Sequence, residues 1–222
     1  LYFNKEEGFI GTSLRKDEFV CECSDIDNII VFRNDGKMMV TKVASKTFVG
    51  KGVIHMAVFK KNDLRTIYNL IYRDGKLGNT YMKRFPVKSI TRDKEYDLTS
   101  GNKGSKILHF TANANGEAEV VSVILKSQAK TRKLKFDIDF ADLAIKGRGS
   151  RGNLVSKYPV SKVELKSKGV STLAAQKIWF DDTVQRLNID GRGELLGEFA
   201  GDDKILVISQ SGEYQLLGFD LS

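Results

Sequence analysis

Ile29-Ile30-Val31-Phe32-Arg33-Asn34-Asp35-Gly36-Lys37 is an apolar, β-branched and aromatic run closed by a glycine turn and a cation, and it recurs as Ile67-Tyr68-Asn69-Leu70-Ile71-Tyr72-Arg73-Asp74-Gly75-Lys76. In both copies Asp-Gly supplies positive φ between two strand-forming runs, which predicts a two-residue hairpin with a type I′ turn. A third copy, Ile107-Leu108-His109-Phe110-Thr111-Ala112-Asn113-Ala114-Asn115-Gly116-Glu117, uses Asn-Gly, and a late copy runs Ile205-Leu206-Val207-Ile208-Ser209-Gln210-Ser211-Gly212-Glu213. All four read as hairpins. Gly36 to Gly75 is 39 residues, Gly75 to Gly116 is 41, and the next turn candidate, Gly152, follows after 36; Gly212 comes after a longer gap of 60. A period near 40 with several short strands per unit is the signature of a propeller-like array, because one small sheet cannot bury its faces until neighbours stack on it. A plain β-sandwich also produces frequent turns but does not explain that recurrence.

Composition agrees with an all-β chain. Two prolines against 20 glycines, with many Val, Ile, Phe and Tyr, favour sheet joined by tight turns, and 41% hydrophobic content in 222 residues is enough for a core. About five four-stranded blades fit the length. Asp142-Leu143-Ala144-Ile145 and residues 171–177 are the places where a helical turn is expected, and 126–135, with Lys126, Lys130, Arg132, Lys133 and Lys135, reads as an exposed basic connector between blades. Residues 166–200 carry no clean turn signal. The chain starts mid-pattern with Leu1-Tyr2-Phe3, as a fragment of a longer protein would.

The net charge of +8 is unevenly spread: residues 181–222 hold three basic and nine acidic side chains, which leaves 33 basic and 19 acidic for residues 1–180. The basic part attracts polyanions, nucleic acid first among them, although lysines also keep β surfaces soluble and blunt sheet edges. Cys21 and Cys23, two apart in an expected strand, would lie side by side on one face rather than at bridging geometry, which fits a reduced, cytoplasmic protein. No run approaches the roughly 18 apolar residues of a membrane span, and nothing has the form of a signal peptide.

Four segments carry a family resemblance: Asn4-Lys5-Glu6-Glu7-Gly8-Phe9-Ile10-Gly11-Thr12, Phe19-Val20-Cys21-Glu22-Cys23-Ser24-Asp25-Ile26-Asp27, Tyr81-Met82-Lys83-Arg84-Phe85 and Ala144-Ile145-Lys146-Gly147-Arg148-Gly149-Ser150-Arg151-Gly152-Asn153. In that order, over essentially the whole chain, they resemble the C-terminal domain of a bacterial type II topoisomerase A subunit, topoisomerase IV or gyrase, of the Bacteroidetes kind. The resemblance implies a β-pinwheel, a disc whose blades exchange strands and whose basic rim binds and bends duplex DNA. It also implies a parent enzyme that passes one duplex through another with ATP and Mg2+ held by other domains, works as an A2B2 assembly with its B subunit, and keeps its tyrosine nucleophile outside these residues. No catalytic residue, cofactor or metal site is carried over to this domain, which is expected to be monomeric by itself. Gyrases place a box reading Gln-Arg-Arg-Gly-Gly-Lys-Gly in the first blade. The nearest match here, residues 146–153, lacks the glutamine and the paired arginines and falls in the fourth unit, which favours decatenation and relaxation over supercoiling.

The expected DNA contacts follow from glycines beside cations, where the backbone can approach phosphates and its N–H dipoles add to the pull. Lys146, Arg148 and Arg151 form the best such segment, against the alternative of a solvated turn. Lys103 with Lys106 and Lys51 between Gly50 and Gly52 have the same character at matching places in their units. Lys83, Arg84, Lys88 and Arg92 make a further cluster, for which a charged strand edge is the plain alternative, and Lys157 stands beside Tyr158, the one aromatic considered as a nucleic-acid contact.

Other chemistries find little support. Cys21, Cys23, His55 and His109 have no closed zinc spacing, and both histidines fall in apolar runs, where a core role is expected. Gly191-Arg192-Gly193 lacks a dinucleotide fingerprint and a following helix. The pairs Asp181-Asp182 and Asp202-Asp203 are expected in solvated turns, and Trp179 with most Phe and Tyr in blade cores. A propeller-type protein scaffold is the competing reading. An enzyme with its site at a propeller's centre would need convergent acid, base or metal ligands that the sequence does not offer.

Overall fold

The computed structural model describes residues 1–127, 131–201 and 203–218, so Lys130 of the expected connector and Asp202 of the second carboxylate pair lie outside the described residues. The first third of the chain forms β1 (Tyr2–Asn4), β2 (Phe9–Gly11), β3 (Glu18–Phe19), β4 (Asn28–Arg33), β5 (Lys37–Lys42), β6 (Thr47–Phe48) and β7 (Val53–Val58). The middle forms β8 (Ile67–Arg73), β9 (Thr80–Pro86), β10 (Tyr96–Asp97), β11 (Lys106–Asn113), β12 (Glu117–Leu125), β13 (Lys135–Asp139) and, after a 3-10 turn at Phe140–Asp142, β14 (Asn153–Ser156). The rest forms β15 (Val160–Ser171), β16 (Gln176–Asp181), β17 (Arg186–Asn188), β18 (Glu194–Phe199), β19 (Ile205–Ile208) and β20 (Tyr214–Leu217). The chain is all-β. Its one short helical turn among the described residues begins two residues before the expected 142–145, and 171–177 makes none.

The described residues form six antiparallel sheets, in the orders β3-β1-β2-β6, β10-β5-β4-β7, β11-β8-β9-β14, β13-β12-β15, β17-β16-β18 and β19-β20. Strands are exchanged between successive units. β6 pairs with β2 through Phe9 and Phe48 although β4 and β5 intervene in the chain, β10 returns from the third sheet to pair with β5 through Tyr96 and Met38, and β14 returns from the fourth to pair with β9 through Asn153 and Met82. The sheets thin from four strands to three and then two along the chain.

The opening run Ile29–Phe32 is apolar without alternation because both of its faces are covered, the pattern of a strand buried on two sides. Ile29 and Val31 join Phe3, Ile10, Val43 and Val49 in one core, while Ile30 and Phe32 join Met38, Val40, Leu70, Tyr72 and Phe85 in the next. β8 does the same, with Leu70 and Tyr72 on one side and Ile71 in a third core with Val121, Val123 and Phe140. Each of these buried side chains contributes about 1.5–3 kcal/mol. Beyond β15 the core thins, among the described residues, to Ile178 and Ile205, and Leu195, Leu206, Ile208, Tyr214 and Leu216 are exposed.

Asp-Gly does mark chain reversals, but by a different turn from the expected type I′. After β4 the loop is Asn34-Asp35-Gly36, closed by Gly36 N–H donating to Arg33 O (3.1 Å), with positive φ at Gly36 (86°) and not at Asp35. That is a three-residue loop with a left-handed glycine. Asp35 is held in its ordinary conformation because its carboxylate accepts from Arg33 Nε (3.2 Å), Arg33 Nη2 (2.8 Å) and Lys37 N (3.1 Å). After β8 the loop extends from Asp74 to Asn79, closed by Asp74 N–H on Asn79 O (2.9 Å). The third repeat is not a hairpin: β11 pairs with β8 and β12 with β13 and β15, so Asn115-Gly116 carries the chain from one sheet to the next. The late copy is a hairpin, with Ile208 opposite Tyr214. The basic segment after Leu125 joins β12 to β13 inside one sheet rather than connecting two, since Ile124 pairs with Lys135.

Cys21 and Cys23 are free and half-buried against the first core, in the irregular segment between β3 and β4 rather than in a strand. His55 packs among Phe32, Tyr68 and Phe110, where burial pushes its pKa down, and His109 bonds Glu119. Asp181 caps its own turn by accepting from Thr183 N–H (3.0 Å).

Candidate nucleic-acid interface

Ile145 forms a lone parallel bridge to Arg84, Lys146 N–H donates to Arg84 O (3.0 Å), and Asn153 pairs with Met82. The residues between, 147–152, therefore arch away from the edge of β9 and return to it. Within the arch Ser150 N–H donates to Gly147 O (3.0 Å). At the far end Gly152 adopts φ 88°, and a Cβ there would lie 2.1 Å from Met82 O, so only glycine brings the chain back onto the strand.

The two arginines of the arch reach different neighbours. Arg148 donates from Nη1 to Ser89 O (2.7 Å) and lies 4.4 Å over the Tyr96 ring. That places it beside exposed Lys88 and in the segment of exposed Arg92, whose neighbour Thr91 donates its N–H to Tyr96 Oη (2.8 Å). Arg151 donates from Nε to Ser100 Oγ (3.2 Å), lies 5.4 Å from the Tyr81 ring, and its carbonyl accepts from Tyr72 Oη (2.7 Å). It thus adjoins the 98–105 turn that carries exposed Lys103 and leads into Lys106, opposite Arg73 on β8.

One residue ties the Lys51 turn to the same row. Asn34 N–H donates to Gly52 O (2.8 Å), and Ile107 N–H donates to Asn34 O (2.8 Å), so the turn at Lys51 and the start of β11 at Lys106 meet on the first hairpin loop. Lys157 follows Ser156, the partner of Thr80, at the end of the third sheet that holds the 74–79 loop. The exposed cations Lys51, Lys88, Arg92, Lys103, Lys106, Lys146, Arg151 and Lys157, with half-buried Arg148, make no ion pair with a described residue. Such charges keep their full field for an external anion.

Lys83 and Arg84 need correction: neither is a surface cation. Arg84 is 1% exposed and Lys83 2%. The Arg84 guanidinium points into the junction of the third and fourth sheets, donating to Asn69 Oδ1 (3.0 Å), Gly116 O (2.8 Å), Thr172 Oγ1 (2.9 Å) and Phe140 O (3.3 Å). Nearby Glu119 is also buried. Burial works to raise its pKa, but bonds from His109, Thr111 and Asn69 outweigh that and hold it below the ordinary carboxylate range. Lys83 points the opposite way, beneath the arch, where its Nζ donates to Arg148 O (2.5 Å) and Ser150 O (2.9 Å). Burial pushes its pKa down to about 8, against a weaker opposing pull from Asp97. A strand's alternation sends neighbouring side chains to opposite faces, and here both faces are covered.

Sequence reasoning missed Tyr81 and Tyr96, which support the arginines, and Lys76, whose Cβ lies 3.3 Å from the position a Cβ on Gly104 would take. Lys76 had a signal, since it follows Asp74-Gly75 as Lys37 follows Asp35-Gly36. The tyrosines had none that separates them from core aromatics.

Antiparallel sheets that trade strands place this all-β chain in the β-pinwheel class, and cations along its connecting turns have no carboxylate partner among the described residues. Within that class, this chain belongs to the topoisomerase C-terminal domain family of Bacteroidota, whose model matches residues 1–168 and 186–222. It is similar to the A subunit of DNA topoisomerase 4 from Borreliella burgdorferi, with 29% identity over 167 residues, 75% of this chain. The chain spans about a quarter of that relative, 25% of its length. A solved structure described as the C-terminal domain of DNA topoisomerase IV superposes with a TM-score of 0.43 at 10% identity, covering 86% of this chain and 69% of the other.

Proposed function

We propose that this domain binds duplex DNA along the row of turns carrying Lys51, Lys106, Lys103, Arg151, Arg148 and Lys88, and bends or wraps it as the accessory domain of an ATP-dependent type II topoisomerase. The observation that carries the reading is the row itself: cations from turns far apart in sequence are gathered by exchanged strands and left without carboxylate partners among the described residues. Membership of a topoisomerase C-terminal domain family supports it. The absence of a Gln-Arg-Arg-Gly-Gly-Lys-Gly box in the first unit, together with the acidic last 42 residues, favours a decatenating and relaxing, topoisomerase IV-like parent over a supercoiling one. In that parent the ATP and Mg2+ chemistry and the strand-cleaving tyrosine belong to other domains and to the B subunit.

The test is binding of the domain to a linear duplex of about 40 base pairs across a salt series, with an end-to-end distance readout and Arg148→Ala/Arg151→Ala alongside. A row making about six phosphate contacts gives a slope near −5 for log affinity against log salt, and loss of two contacts flattens it by about 1.8. Sequence preference should be weak and follow how easily the site bends. No binding at low salt would sink the proposal and favour a protein-interaction scaffold.

A further inference from the structure

Lys83 is a cation in a place where a cation is costly. It is 2% exposed, lies 5.1 Å from the Phe85 ring and 6.0 Å from that of Tyr72, and has no carboxylate within ion-pair distance among the described residues. An apolar side chain of the same length would fill that space without desolvating a charge. What the ammonium gains is two carbonyl oxygens, Arg148 O and Ser150 O, both on the arch.

The other bonds on the arch leave these two carbonyls to Lys83: Ser150 N–H donates to Gly147 O, Tyr72 Oη donates to the Arg151 carbonyl, and the arginine side chains donate to Ser89 O and Ser100 Oγ. Cβ atoms built on Gly147 and Gly149 would meet nothing within 4 Å, so the chain there is neither crowded nor packed, and glycine gives it wide backbone freedom. Its ends are fixed by the Lys146 and Asn153 pairings to β9, but the peptide groups that set the direction of the Arg148 and Arg151 side chains lie between those ends. The Arg148 carbonyl is one of the two that Lys83 holds, and the Ser150 carbonyl belongs to the peptide leading into Arg151. An ammonium with three donors can bind two carbonyls at once, and charged donors bind roughly twice as strongly as neutral ones.

We infer that Lys83 is a positioning residue that pins the crown of the Lys146–Gly152 arch from beneath, so that Arg148 and Arg151 are presented together to a nucleic-acid backbone. The inference rests on the DNA-binding reading for its purpose, but the pinning can be measured without DNA. Lys83 itself touches no DNA. It lowers the ordering cost that the two arginines would otherwise meet on binding.

The experiment uses the whole 222-residue chain as wild type, Lys83→Met, Arg148→Ala/Arg151→Ala and the triple variant. The first readout is limited digestion by trypsin, whose sites after Lys146, Arg148 and Arg151 lie in the arch. Lys83→Met should speed cleavage there by about tenfold or more while keeping a cooperative melt, since two charge-assisted hydrogen bonds restrain the crown. Unchanged cleavage overturns the pinning whatever the DNA result, and so does a Lys83→Met chain that no longer folds, because Lys83 would then hold the core and not the arch. A measurement on the wild type stands beside this: a lysine ammonium signal in slow exchange with water by 15N NMR, whose absence also overturns it. The second readout is affinity for the 40-base-pair duplex. Lys83→Met should lose most of what Arg148→Ala/Arg151→Ala loses, and the triple variant should lose little more than the double. Additive losses would overturn the positioning role, and failure of the wild type to bind would defeat the DNA reading while the digestion result still decides the pinning.

Discussion

Adjacent cations on β9 illustrate how little a residue's type says about its task. Lys83 and Arg84 look like a basic pair and are both buried, on opposite faces, with different partners. Arg84 supplies donors to carbonyls at a sheet junction, so Arg84→Met, which leaves Asn69, Gly116 and Phe140 oxygens without it, should cost about 3 kcal/mol or more, read from urea denaturation. A loss below about 1 kcal/mol would mean that water replaces the guanidinium. Lys83 predicts a pH effect of definite sign. Its pKa falls from 10.5 in the unfolded chain to about 8 in the folded one. Between those values the unfolded chain holds the proton and the folded chain does not, so this residue's contribution to stability rises with pH across that window and is constant below it. The stability of wild type relative to Lys83→Met should therefore climb between pH 8 and pH 10.5; a flat difference would refute the depressed pKa.

At the level of elements, the connecting turns decide which cations meet. Gly152 is the hinge by which the arch rejoins β9, and its left-handed φ and the 2.1 Å approach to Met82 O leave no room for a side chain. Gly152→Ala should cost about 1–3 kcal/mol and should expose the amides of β14 to hydrogen exchange while those of β8 stay protected. Equal protection of β14 in both proteins would show that the arch accommodates the methyl group by itself. The same scale explains the misjudged turns. Asp-Gly was legible as a reversal because glycine's positive φ is local, but loop length was not, because in the first hairpin the Arg33 guanidinium holds Asp35 in an ordinary conformation, and Arg33 is in turn paired with Glu95, 62 residues away.

Across the whole molecule, stability should fall along the chain with the thinning core. β4, β8 and β12 are covered on both faces, whereas β16 to β20 bury little beyond Ile178 and Ile205. In a hydrogen-exchange time course the amides of the last two sheets should exchange first and those of β4 and β8 last, near the global unfolding limit; uniform protection would contradict a graded array. The sequence by itself determined that the chain is β throughout, that units recur near every 40 residues, that the cations concentrate before residue 181, and that the stretch 146–152 alternates glycines with cations. These are properties of composition, alternation and turn chemistry, which act over a few residues. Only the tertiary structure decided that β6, β10 and β14 are given back to earlier sheets, that Asn115-Gly116 crosses between sheets, and that Lys83 and Arg84 lie inside while Arg148 reaches the segment of Lys88 and Arg151 the turn that carries Lys103. The reason is that pairing and burial depend on which distant strands arrive on each face, and a cation's own neighbours in sequence carry no record of that.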